Sequence, residues 1–177
     1  MGSHHNGEWR WFVCHTKPKC EKRFANLMAT SEIEFYLPLY QSTRKYFSRR
    51  IRRHQIKYFT KPLFPSYVFC HLPLERKMEA YQRDYVVRLI RVENEARFLR
   101  QLDSIKRLIE SGVELELCPP LEQGARVRIS NGPLAGVEGV VEDPTDPDRI
   151  VVAVDILQQG VQTQIPQSDL EILEDDD

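Results

Sequence analysis

The sign of the charge changes once along this chain, at Cys118, and that change restricts it to folds with two separate bodies. Up to Cys118 there are 22 Lys and Arg against 13 Asp and Glu, a balance of +9. Beyond it, Arg126, Arg128 and Arg149 face thirteen acids between Glu122 and Asp177, a balance of −10. Parts charged so differently attract different partners, so different work is expected of each. A length of 177 residues fits one domain of about 110 residues followed by a smaller one. Pro119-Pro120 marks the join. The expected boundaries are 8–117 for the first domain, 118–123 for a linker, 124–174 for the second domain and 175–177 for an acidic tail.

Periodicity assigns elements within each part. Trp9 to Thr16 alternates bulky and polar residues, the pattern of a half-buried strand. Thr16 is expected to cap a helix with Pro18 in its first turn and Phe24, Leu27 and Met28 on one face, ending near Thr30. Glu34 to Tyr40 reads as one strand in which Pro38 suggests an edge or a bulge, and Ser66 to Leu72 as a central strand. A short helix is expected over Glu75–Arg83 and a strand over Val86–Val92. Phe98, Leu99, Leu102, Ile105, Leu108 and Ile109 form a helical stripe that Gly112 stops. This order describes an α+β antiparallel sheet with helices packed on it. In the second part, glycines and prolines separate short strands at Ala125–Ile129, Val137–Glu142, Arg149–Ile156 and Val161–Ile165, as in a small antiparallel barrel.

Three stretches can carry function. From Phe35 to Leu74 there is no acid, while Arg44, Lys45, Arg49, Arg50, Arg52, Arg53, Lys57 and Lys61 accumulate. Cations in that number favour nucleic acid, because each one that neutralises a phosphate releases counterions. Tyr46, Phe47, Tyr58 and Phe59 are placed to stack on exposed bases. A competing reading makes the stretch a solvated hairpin that only blunts a sheet edge. Trp11, Phe12, Tyr67 and Phe69 are an aromatic set read first as core, or else as an apolar groove for a partner's helix. Arg126 to Val141 carries Gly132, Gly136 and Gly139 at positions that favour turns, without the Gly-Lys-Ser or Gly-Lys-Thr of a phosphate loop.

Other classes find little support. No His, Ser or Cys stands in a motif that sets a base beside a nucleophile, so no enzymatic activity and no cofactor are expected. Cys14, Cys20, Cys70 and Cys118 are scattered, which implies reduced cytosolic thiols with neither zinc nor a disulfide framework. The longest apolar runs, such as Val86–Ile90, fall far short of the roughly 20 residues of a membrane span. Met1–Gly7 lacks the pattern of a secretory signal.

The glycine-rich stretch resembles a KOW motif, with Gly132, Pro133, Gly136 and Gly139 at its turns, and so implies a small SH3-like barrel. Trp11-Phe-Val with Pro62-Leu-Phe-Pro-Ser-Tyr-Val-Phe resembles the N-terminal domain of NusG transcription factors, and the resemblance covers nearly the whole chain. It implies a cytoplasmic, monomeric elongation factor that holds the clamp helices of bacterial RNA polymerase in an apolar pocket, resisting pausing or termination. By position the resemblance assigns Phe12, His15, Tyr67, Phe69 and Val92 to that pocket. It places Lys17, Lys19, Arg49, Arg50, Arg52 and Arg53 toward non-template or upstream DNA.

The His-Thr-Thr element that specialised RfaH factors aim at the polymerase gate loop is absent near Arg76–Ala80, so the resemblance implies no second anchor there. Leu157-Gln-Gln-Gly160 stands where housekeeping members carry Phe-Gly-Arg, and that loss together with the long basic stretch resembles specialised, RfaH-like antiterminators. The latter change bears on any contact of the KOW domain with Rho or a ribosomal protein. The rival is a ribosome-associated or general RNA-binding KOW protein, against which the −10 balance of the second part argues. RfaH itself refolds its KOW domain into helices, whereas Ile150-Val-Val-Ala-Val and the glycines here favour strands. Far-UV circular dichroism of residues 124–174 is expected to show a sheet spectrum, and a mainly helical one would overturn this reading.

Overall fold

The computed structural model describes residues 7–118 and 124–173. Its organising element is β1 (Trp9–Thr16), whose expected bounds the structure reproduces. It pairs antiparallel with β5 (Tyr67–Pro73) on one edge and with β6 (Val86–Arg91) on the other. Outside β5 lies β2 (Glu34–Tyr36), giving a four-stranded sheet in the order β2-β5-β1-β6. Side chains alternate across such a sheet. Phe12 and Cys14 of β1 therefore join Val68, Cys70 and Leu72 of β5 in one core with Phe24 and Met28. Those last two lie on α1 (Glu21–Thr30).

The helix begins later than its sequence implies. Cys20, not Thr16, is the N-cap. Thr16 stays in β1, its N–H donating to the Ser66 carbonyl at 2.8 Å. Pro18 then falls in a turn closed by the Cys20 N–H on the Lys17 carbonyl, with Lys19 at φ 63°. Sheet pairing thus overrides the capping preference of Thr16.

Pro38 divides the strand expected over Glu34–Tyr40. β2 ends at Tyr36, and β3 (Leu39–Ser48) pairs instead with β4 (Arg53–Pro62) as a separate two-stranded ribbon. Proline lacks the N–H that a continuous ladder needs. The segment Leu74–Asp84 is a 3-10 helix broken at Gln82 and Arg83. Only Ala80 of it is buried, too little apolar surface to hold a longer regular helix.

The chain forms two units that divide between Arg91 and Val92. The second contains α2 (Glu95–Ser111), capped by Asn94, whose side chain accepts from the Arg97 N–H at 3.0 Å, and ended by Gly112 at φ 72°. Phe98, Leu102, Ile105 and Leu108 are its buried stripe, while Leu99 is exposed. β7 (Glu116–Cys118), β8 (Ala125–Ile129), β9 (Glu138–Val141), β10 (Arg149–Val154), β11 (Gln159–Gln164) and β12 (Leu170–Ile172) make an antiparallel sheet in the order β12-β8-β9-β10-β11-β7. The strand expected to reach Ile156 stops at Val154 in a 3-10 turn. β12 is too short for its pattern to show in the sequence.

The expected join at 118–123 and this division by contacts fall at different places: α2 lies against β10, and Cys118 pairs with Gly160, within the second unit. Residues 119–123 and the tail 175–177 lie outside the described residues.

All four cysteines are free thiols. Burial pushes the Cys14 thiol well above its ordinary value, with Cys70 beside it adding to the shift. A thiol held protonated is a poor nucleophile. Ellman's reagent on the folded protein is expected to modify half-buried Cys20 first and to reach Cys14 and Cys70 only on unfolding.

Candidate functional site

The register of the β3–β4 ribbon sorts its side chains into two unlike faces. Directly opposed residues share a face. Arg44 faces Lys57, Tyr46 faces Gln55, Ser42 faces Phe59 and Ser48 faces Arg53, which with Lys61 collects cations on one side. There the Lys57 ammonium lies 5.3 Å above the Phe59 ring, and the Tyr46 hydroxyl donates to Gln55 Oε1 at 2.7 Å. The other face carries Thr43 opposite Tyr58, Lys45 opposite Ile56 and Phe47 opposite His54. From Gln41 to Phe47 and from His54 to Thr60 every residue of this second face is exposed, as is the turn of Arg49, Arg50, Ile51 and Arg52. The base of the ribbon is fixed by the Leu63 N–H on the Pro38 carbonyl and by Lys22 Nζ on the Thr60 carbonyl, both at 2.8 Å.

The arginines predicted to meet nucleic acid, Arg49, Arg50, Arg52 and Arg53, are therefore together at the tip, in solvent. Lys17 and Lys19 are not part of it. They lie in the turn between β1 and α1, where Lys17 is ion-paired with Asp84 and Lys19 is exposed.

The aromatic set is split by the pleat of the sheet. Phe12 points into the core beneath α1 and is almost wholly buried. Val13, His15, Tyr67 and Phe69 share the opposite face, through the pairs Val13↔Phe69 and His15↔Tyr67. Phe69 is also buried, packed between Tyr36 and Phe64, and so is Val92. Of the five candidate pocket residues, only His15 and Tyr67 retain accessible surface; their rings stack at 5.2 Å and 23°. A second cluster on the same face escaped the sequence reading. The His71 ring stacks on Trp11 at 5.1 Å and holds Glu34 by Nδ1 at 2.9 Å.

In the second unit the glycine-rich stretch forms a tight turn between β8 and β9. Gly132 and Gly136 have φ 76° and 88°, and the Gly136 N–H reaches the Ile129 carbonyl at 2.7 Å. Gly139 has another reason to be small: a Cβ there would meet the Val151 carbonyl at 3.0 Å. Arg107 of α2 clasps the turn, donating from Nη2 to the carbonyls of Pro133 and Ala135 at 3.1 and 2.5 Å. Nothing in the sequence singles Arg107 out from the other bases on its helix. The arginines of this acidic part are engaged as well: Arg128 with Glu138 at 2.8 Å, Arg126 with Glu138 at 3.7 Å, and Arg149 with Gln162.

Residues 9–117, more than half of the chain, match the family model described as transcription termination factor nusG. The chain belongs to the NusG family. A solved structure of Thermotoga maritima NusG, described as showing domain interaction, aligns with a TM-score of 0.52 at 19% identity, covering 94% of this chain and 98% of that one. That likeness supports the mixed sheet-and-helix fold followed by a sheet-rich part. The MjSpt4:Spt5 complex aligns with a TM-score of 0.29 at 16% identity over 94% of this chain and 99% of that one, too low a score to carry an argument. No curated protein matches the chain.

As a NusG-family protein, this chain is a member of a family of transcription factors, and two of its features gain meaning. Its family match runs across the division at Arg91, taking in α2 and β7. In the turn Leu157-Gln-Gln-Gly160, Leu157 is buried, while Gln158 is exposed at φ 49°. Among the described residues no helix is long and apolar enough to cross a membrane. Gly136→Ala is expected to cost about 1–2 kcal/mol, the penalty of a left-handed conformation for an L side chain. Thermal denaturation would register it as a lowered midpoint, whereas an unchanged midpoint would mean that the turn relaxes freely.

Proposed function

We propose that this NusG-family protein is an elongation and antitermination factor that rides on bacterial RNA polymerase in the cytoplasm. The observation that carries the reading is the acid-free ribbon of β3 and β4, whose cations and tip stand in solvent on a domain matched to the family model. In this reading the sheet face around His15 and Tyr67 meets the clamp helices. The ribbon then reaches non-template or upstream DNA. No bond chemistry is required: pausing falls because the factor binds the elongating state better than the paused one.

The inward turn of Leu157 leaves no exposed aromatic there for Rho or a ribosomal protein, which favours an operon-specific paralogue over a housekeeping member. The RNA-binding alternative is weakened by the arginines beyond Cys118, already engaged by Glu138 and Gln162. Binding of the intact protein to core RNA polymerase is the test. Tyr67→Ala is expected to weaken it by about 1–3 kcal/mol, the cost of removing an aromatic anchor. Full affinity in a folded Tyr67→Ala protein would move the contact elsewhere, and no binding by the parent protein would end the polymerase reading.

A further inference from the structure

We propose that the second unit carries a docking groove along β12 for a cationic amphipathic helix of another protein. Ala125 and Val127 of β8, Val141 of β9, Pro147, and Leu170 and Ile172 of β12 line a cavity of about 550 Å³. That volume lies within the roughly 300–1,000 Å³ of ligand pockets. The groove is separate from the Gly132–Gly136 turn and from the Leu157–Gly160 turn, neither of which contributes to its wall.

The register explains why an apolar groove forms here. Ala125 pairs with Val141 and Val127 with Gly139, so these side chains share one face of the sheet while Arg126 and Arg128 take the other. Val127 and Val141 are buried and make the floor. On β12, Leu170 and Ile172 alternate with Glu171 and therefore share a face. Ile172 is 73% exposed, the highest value among the large apolar side chains of the described residues. An apolar side chain held in water at the rim of a groove gains by being covered.

The surrounding charge chooses the occupant. Asp146 and Asp148 flank Pro147, and Asp169 stands between the lining residues Ser168 and Leu170. Asp148 is fixed at the rim, where its Oδ1 accepts from the N–H of Gln167, another lining residue, at 2.8 Å. Among the described residues no Lys or Arg lines the groove. The arginines beyond Cys118 are engaged elsewhere, Arg126 and Arg128 by Glu138 and Arg149 by Gln162. An apolar floor with an acidic rim is complementary to an apolar stripe flanked by Lys and Arg. The same rim repels nucleic acid, an anionic membrane and a second copy of this acidic part. It repels the chain's own Glu174-Asp-Asp-Asp end for the same reason.

A helix suits the groove better than an added strand. β12 has three residues, too few for a useful ladder with a partner strand, whereas a helix in a groove relies on side-chain contacts alone. Leu170 and Ile172 are about 6.7 Å apart, twice the rise per residue of a strand. Residues four apart on a helix rise by about 6 Å, so one apolar stripe meets both.

The test follows the NMR signals of the full-length protein during titration with a helical Leu/Lys peptide of about 14 residues, roughly four turns. The same peptide with Glu in place of Lys is the comparison. The Leu/Lys peptide is expected to shift the signals of Val127, Val141, Leu170 and Ile172, with binding that weakens as salt rises. The Leu/Glu peptide should leave those signals in place. Ile172→Ser, at an exposed position, should weaken binding about 10-fold, and Ile172→Leu should retain most of it. Asp146→Asn combined with Asp169→Asn should weaken binding and flatten its salt dependence. Shifts centred on another surface, equal shifts of the groove by the Leu/Glu peptide, or variants that bind like the parent would each overturn the proposal. If the parent takes up neither peptide but Leu121→Ser takes up the Leu/Lys peptide, residues 119–123 are the occupant and the foreign helix is ruled out. No shift in either protein ends the proposal as well.

Discussion

The pairing of β1 with both β5 and β6 is the constraint on which the first unit depends. Because β1 is central, each residue from Trp11 to His15 is committed to one of two faces, and a slip of one position would exchange them. The apolar demands of Phe12 and Cys14 set the register: both must reach Phe24 and Met28 of α1. Trp11, Val13 and His15 then have no choice but the opposite face, beside His71, Phe69 and Tyr67. A candidate partner surface thus exists as the by-product of a core, and Phe12 is excluded from it for the same reason that His15 is included.

The β3–β4 ribbon follows a different logic. It lies outside the four-stranded sheet and buries little, so its stability rests on the ladder itself and on the anchors at its base. Freed from packing, its residues can be chosen for charge and for aromatic surface. Edge protection alone would account for the cations, since charged ribbons resist strand addition. It does not account for Phe47, Ile56 and Tyr58 gathered on one uncovered face, which is the opposite of what protects a ribbon from association.

In the second unit, shape is dominated by turns. Gly132 and Gly136 take conformations that other residues resist, Gly139 lets β9 approach β10, and Arg107 satisfies two carbonyls of the turn from outside. Beyond Cys118 the charge is strongly negative in the sequence, and Arg126, Arg128 and Arg149 are drawn into local contacts, so no cationic patch is left by them. Charge balance and charge placement point the same way here.

Much of this was legible in the amino-acid order. The bounds of β1, the stripe of α2 with its Gly112 stop, the glycine turn and the basic ribbon each rest on local chemistry: alternation, helical spacing, left-handed φ and a run without acids. What required the tertiary structure was everything set by pairing across long separations. Thr16 forms a strand rather than a cap because Ser66 claims its N–H. Glu34–Tyr40 breaks because β3 finds β4, and α2 falls in the second unit because it lies against β10. Likewise, sequence alone grouped Phe12 with Tyr67 and Phe69, and Tyr46 and Phe59 with Phe47 and Tyr58. Only register separates them, because which face a strand residue occupies depends on its partner strands as much as on its own neighbours.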